Sequence, residues 1–126
     1  MNWLLVAIGG ALGSMARYGV GIQATRLLGA RWPFGTLTGN IVGGLLMGFL
    51  AAWLAHAMPL GQERWRVTLG VGVLGGFTTF SAFSLETALM IERRAYGEAG
   101  LYVVLSVVAS VTALFVGMLL ARRVFA

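Results

Sequence analysis

The sequence predicts an all-α membrane protein of four transmembrane helices, the third of them broken. Three observations carry that expectation. Of the 126 residues 59% are hydrophobic and only 10% are charged, and mean hydropathy is +0.88, whereas soluble domains carry about 25% charged residues. The apolar residues fall into four runs, each supplying the roughly 20 residues that a hydrocarbon core about 30 Å thick requires. Within the third run lies Gly75-Gly76-Phe77-Thr78-Thr79-Phe80-Ser81-Ala82-Phe83-Ser84, where two glycines and two β-branched threonines make a continuous helix weakest.

The first span is expected over about 3–28. Met1-Asn2-Trp3 lacks a positive n-region and no A-x-A-like site closes a short apolar segment, so this run reads as a retained span, not a cleaved signal peptide. The second covers about 34–57, after the connection 29–33. The third covers about 66–91, after the connection 58–64, and the fourth about 99–121, after the connection 92–98. No segment is left for a soluble domain, so residues 1–126 form a single four-span domain. Lipid cannot satisfy freed backbone groups, so a break in the third span is tolerated only where protein or water covers it. Breaks at that depth tend to supply ion-coordinating carbonyls in transporters. The segment therefore indicates a membrane protein that handles ions.

Composition excludes several classes. With no cysteine, disulfide frameworks, thiolate metal sites and cysteine nucleophiles are ruled out. The single histidine, His56, reads as an interfacial residue at a helix end. No Ser/His/Asp grouping, paired carboxylates, Walker loop or metal-spaced histidine cluster occurs, and Gly9-Gly10-Ala11-Leu12-Gly13 more plausibly packs than cradles phosphate. An enzyme is not expected. The formal charge is +5 and every basic residue is arginine. These arginines are scattered without interleaved aromatics, which argues against nucleic acid.

The arginines outside the spans normally set orientation. One side would hold Arg64, Arg66, Arg122 and Arg123; the other would hold Arg26, Arg31, Arg93 and Arg94, an equal share. Chance in a small count explains this, and so does dual insertion, with copies facing both ways and pairing antiparallel. Glycines four apart recur at Gly9/Gly13, Gly35/Gly39/Gly43, Gly44/Gly48 and Gly72/Gly76, a spacing that lets helix backbones approach closely in lipid. Four helices with so many packing faces, and too little chain to enclose a wide pore, imply a homo-oligomer, of which a dimer is the simplest.

Polar residues inside spans are functional candidates by default. Arg17 attracts an anion into a vestibule, or else snorkels or caps a neighbouring helix. Asn40 offers an uncharged amide donor, or serves as interhelical glue. Phe80 and Phe83, three apart, share a face where helix resumes. Their positive ring edges suit an anion path, though phenylalanines at such depth are usually core or lipid-facing. Tyr102, Ser106 and Ser110 form one strip at i, i+4 and i+8, with Thr112 off it; such hydroxyls often bond only their own backbone. Glu86, the only acid deep in a span, is suited to titrating, coordinating or accepting hydrogen bonds.

Taken together, 9–18 (GGALGSMARY), 35–43 (GTLTGNIVG) and 75–84 (GGFTTFSAFS) resemble the Fluc (CrcB) family of fluoride channels over the whole chain in length, span count and motif order. The third motif is the most specific. The resemblance implies an antiparallel, dual-topology homodimer of four-helix subunits in the bacterial inner membrane. It also implies two fluoride pores per dimer, each built from both subunits, and passive export of cytoplasmic fluoride. Carried over by motif, Phe80 and Phe83 line the pore, Asn40 donates to the anion, and Arg17 recruits fluoride at the vestibule. Tyr102, Ser106 and Ser110 resemble the family's polar track. A structural sodium ion at the dimer axis would be bound by the backbone carbonyls of Gly75 and Thr78. Hard cations prefer such oxygen ligands, and a conducted anion needs donors that do not hold it too tightly.

The alternative is a small proton-coupled multidrug exporter of the four-span antiparallel-dimer type. Such exporters centre on a carboxylate in the first span, where this chain carries Arg17 and no acid. An accessory membrane protein with no transport role is also compatible with the glycine packing.

Overall fold

The computed structural model describes residues 2–57 and 59–125, and every described segment is helix or short turn. The expectations that touch Met1 and Met58 fall outside the described residues. Helix α1 is Asn2–Leu28 and α2 is Phe34–Ala57. Helix α3 occupies residues 62–77: an α-helical turn at Gln62–Trp65, a π-helical stretch at Arg66–Leu74 and a final α turn at Gly75–Phe77. Helix α4 is Ser81–Glu92 and α5 is Tyr96–Phe125. Taking residues 62–92 together, four helical segments among the described residues are long and apolar enough to cross a membrane.

Several boundaries differ from expectation, for physical reasons. The fourth helix begins at Tyr96 and continues to Phe125, because a helix outlasts the hydrocarbon wherever its backbone bonds persist. Glu98 in its first turn and Arg122 and Arg123 in its last also complement the helix dipole. The connection expected at 92–98 contracts to residues 93–95. There Arg94 takes φ 62°, and the Ala95 N–H donates to the Met90 carbonyl at 2.9 Å, a six-to-one helix closure. Gly29 (φ 90°) closes α1, its N–H donating to the Thr25 carbonyl at 2.9 Å. The π-helical stretch had no counterpart in the sequence reading.

Lipid supplies no hydrophobic drive for helix association, so close backbone packing has to supply the attraction. The four-spaced glycines form two seams. Between α1 and α3, a β-carbon at Gly9 would lie 2.7 Å from the Thr68 carbonyl oxygen, and one at Gly76 would lie 2.6 Å from that of Gly10. Between α2 and α5, a β-carbon at Gly48 would collide with the Leu114 carbonyl, and one at Gly117 with that of Leu45. Gly43 on α2 is occupied differently: the γ-methyl of Thr78 fills the space its side chain would take. That contact seats the turn between α3 and α4 against α2.

Two apolar clusters stabilise opposite ends of the bundle. Leu37, Met90, Ala99 and Tyr102 form one, with Trp32, Ile41 and Phe83 packed on it; Leu50, Leu54 and Leu74 form the other. The outer faces carry exposed apolar side chains such as Leu12, Leu101 and Val108, as expected of surfaces facing acyl chains.

Candidate functional site

The site begins where the ladder of α3 stops. Its last rung runs from the Thr78 N–H to the Leu74 carbonyl, at 3.0 Å. Thr78 then turns extended (φ −91°, ψ 157°), and its hydroxyl doubles back onto the same Leu74 carbonyl at 2.9 Å. The next rung would run from the Thr79 N–H to the Gly75 carbonyl. Instead the Thr79 N–H donates to Asn40 Oδ1 at 2.9 Å, while Asn40 Nδ2 donates to the Thr79 carbonyl at 3.0 Å. One carboxamide thus takes over both helical bonds of Thr79. The Ala82 N–H, the usual i+4 partner of the Thr78 carbonyl, donates to Thr79 Oγ1 at 3.1 Å. Side chains therefore occupy the donors that would otherwise serve the carbonyls of Gly75 and Thr78.

Asn40 also lines a cavity of about 390 Å³ with Phe80, Phe83, Ser106, Ser110, Thr78 and Thr79. The Phe80 and Phe83 ring centroids are 5.5 Å apart and their planes are tilted by 48°. Phe80 is 78% exposed. The hydroxyls of Ser106 and Ser110 are buried with no hydrogen-bond partner among the described residues. Thr78 and Thr87 do bond back to their own helices, so the two serines stand out as uncommitted donors. Burying a hydroxyl without a partner is costly.

Tyr102 parts from the serine strip. It is fully buried, and its hydroxyl donates to Glu86 Oε1 at 3.0 Å while the Thr36 hydroxyl donates to Oε2 at 3.0 Å. Of the three roles open to Glu86, the geometry displays the acceptor role. Trp32, Tyr102, Phe83 and Phe80 follow one another with ring centroids 5.4, 5.2 and 5.5 Å apart.

That aromatic file leads to a second, larger cavity of about 750 Å³. Arg17 lines it, and so do Arg26, Arg31 and Arg93, with Thr36, Glu86 and Trp32. Among the described residues the one salt bridge is Arg66 to Glu63 at 3.1 Å, so none of these four guanidinium groups is neutralised by an ion pair. No group of His, Cys, Asp or Glu suited to a metal ion occurs among the described residues.

The structure thus gathers Asn40, Phe80, Phe83, Ser106 and Ser110 around one cavity with Thr78, sets Arg17 in the other, and places Tyr102 between. Gly75 lies one turn before Thr78 and is exposed. Sequence reasoning missed Thr79, Thr36 and Trp32. Thr36 precedes Asn40 by four residues on one face of α2, a signal that was available. Thr79 could not have been singled out, because its role depends on a partner 39 positions away.

Four helical segments of bilayer length, three of which frame an uncharged cavity carrying one amide and four hydroxyls, have the build of a membrane protein that passes small solutes or ions. The family model described as CrcB-like protein, Camphor Resistance (CrcB), matches residues 4–118, and the chain belongs to that family. It is 67% identical over 122 residues to a protein of Caulobacter sp. (strain K31) named fluoride-specific ion channel FluC, covering 97% of this chain and 95% of that one. A Phenylobacterium zucineum protein of the same name is 65% identical over 123 residues, covering 98% and 97%. One from Agrobacterium fabrum is 46% identical over 125 residues, covering 99% of each. These relatives are named as channels, not enzymes.

Proposed function

We propose that the chain is a fluoride-selective channel that passively exports cytoplasmic fluoride across the bacterial inner membrane. It works as an antiparallel homodimer with two pores, each completed by both copies. The observation that carries this reading is the neutral cavity, lined together by two unpartnered serine hydroxyls, Asn40, Phe80 and Phe83. A small, strongly hydrated anion exchanges water for these donors, which are weak enough to release it again. Arg17 and its neighbours raise the local anion concentration at the mouth without sitting in the conduit. Glu86, held by Thr36 and Tyr102, lines the arginine cavity and not the serine cavity.

The 78% exposure of Phe80 and the exposure of Gly75 in the single chain support a second copy covering this side. A structural sodium ion fits the same turn, because the donors of the Gly75 and Thr78 carbonyls are engaged elsewhere and hard cations prefer oxygen ligands. Those two carbonyls, given twice by the dimer, would hold it, and the ion would supply fixed positive charge that locks the copies together.

The test is efflux from proteoliposomes preloaded with fluoride or chloride. Fluoride release without added proton gradient, and no chloride release, is the expected result. Proton-coupled efflux, or equal release of both halides, would refute it.

A further inference from the structure

The two functions assigned to this fold, a cation clamp and an anion conduit, share one side chain. Asn40 Oδ1 accepts from the Thr79 N–H at 2.9 Å and Nδ2 donates to the Thr79 carbonyl at 3.0 Å. The first bond withholds from the Gly75 carbonyl the donor that would continue the α3 ladder. The second Nδ2 hydrogen remains for other use, and Asn40 lines the cavity with Phe80, Ser106 and Ser110. A carboxamide is conjugated, so an anion accepting from its nitrogen shifts electron density onto Oδ1. That shift strengthens the bond Oδ1 accepts, as hydrogen bonds in series reinforce one another.

We propose that Asn40 is the positioning residue that couples occupancy of the Gly75/Thr78 cation site to occupancy of the neutral cavity. An anion at Asn40 tightens its hold on the Thr79 N–H and so keeps the Gly75 carbonyl available. A cation on that carbonyl keeps the turn, and therefore Asn40, in the orientation that serves the cavity. Coupling of this kind is reciprocal: each ion raises the affinity for the other by the same factor. The inference rests on the sodium reading above, and its test separates the two.

The full-length dimer is purified without sodium in an N-methylglucamine buffer, and its melting temperature is followed as sodium is added, with fluoride or with chloride at equal ionic strength. For the unsubstituted protein the half-stabilising sodium concentration is expected to be about fivefold lower in fluoride than in chloride. In Asn40→Ala the Thr79 N–H can return to the Gly75 carbonyl. The half-stabilising concentration then rises about tenfold, and fluoride no longer moves it. The double variant Ser106→Ala/Ser110→Ala leaves the Asn40 clamp untouched, and covers the case in which Asn40→Ala does not assemble. It is expected to keep the sodium midpoint in chloride and lose most of the fluoride effect. A role of Asn40 in packing alone predicts a uniform drop in melting temperature at every sodium concentration with an unmoved midpoint, and that result would overturn the coupling. So would a sodium midpoint in the unsubstituted protein that fluoride leaves unchanged. If sodium does not stabilise the unsubstituted protein at all, the cation site itself is refuted and the coupling falls with it.

Discussion

Two cavities of this protein handle charge in opposite ways. The larger is lined by four arginines and one acid, Glu86, already engaged by Thr36 and Tyr102. The smaller contains no ionisable side chain: its polar groups are the Asn40 amide, the Ser106 and Ser110 hydroxyls, and the two threonines of the turn. Formal charge acts over a Debye length, about 8 Å at physiological ionic strength, and so serves to gather ions. Inside a low-dielectric passage the same charge would trap an anion rather than pass it. On the proposed function the contrast divides recruitment from passage, and sets the weak donors where the ion has to leave again.

The strongest way to break this contrast is to remove a ring edge from the neutral cavity. Phe83→Ile or Phe80→Ile is expected to lower fluoride flux by about tenfold to a hundredfold, equivalent to roughly 1.4–2.8 kcal/mol on the barrier. The elution position on size exclusion should stay unchanged, since each replacement remains apolar. If both variants conduct normally, the ring edges have no part in conduction.

Next in size is the loss of the uncommitted hydroxyls. Ser106→Ala with Ser110→Ala should reduce flux about fivefold to tenfold, in keeping with a net worth near 1 kcal/mol for a hydrogen bond. Thermal stability should hold or rise, because two buried unpartnered hydroxyls are removed. A loss of stability would show that the serines are structural.

In the charged cavity the effect should be smaller and depend on salt. Arg17→Gln is expected to slow fluoride entry about threefold at low ionic strength, and to approach the unsubstituted rate as salt screens the field. A salt-independent loss would instead make Arg17 a direct ligand. The smallest effect is expected at the boundary. Tyr102→Phe leaves Glu86 with the Thr36 hydroxyl as donor and keeps the aromatic file, so flux should change by about twofold or less, well within the net worth of one hydrogen bond. A large loss would place the tyrosine hydroxyl in the path itself.

Much of the scaffold was legible because lipid imposes a simple rule. A span has to be long, apolar and internally hydrogen-bonded, and such runs can be counted directly. The glycine seams were legible for a related reason: close approach in lipid needs small residues at four-residue spacing, and Gly44/Gly48 and Gly72/Gly76 meet neighbouring backbones as that spacing suggests. The expected span at 34–57 coincides with α2, whereas α5 overruns the expected 99–121 because hydropathy measures the slab, not the helix.

The site was legible only as a set of suspects. Spacing put Tyr102 on one strip with Ser106 and Ser110, yet a tyrosine reaches much farther than a serine, and its hydroxyl finds Glu86. Periodicity says which face a side chain leaves from, not where a long one ends. Arg26, Arg31 and Arg93 entered the sequence reading as topology markers. Their convergence with Arg17 on one cavity follows from tertiary packing at one end of the bundle. Asn40 was weighed as either donor or glue, and the two-point contact with Thr79 makes it glue while leaving a second N–H for the donor role. Local propensity marked residues 75–84 as weak; what stabilises the extended Thr78 comes from α2.

The central claim is that fluoride crosses passively through the neutral cavity, and single-channel recording in planar bilayers tests it most directly. With a fluoride gradient, the account predicts discrete current steps that reverse at the fluoride equilibrium potential and vanish when chloride replaces fluoride. Fluoride flux without resolvable steps, or steps of equal size in chloride, would contradict it.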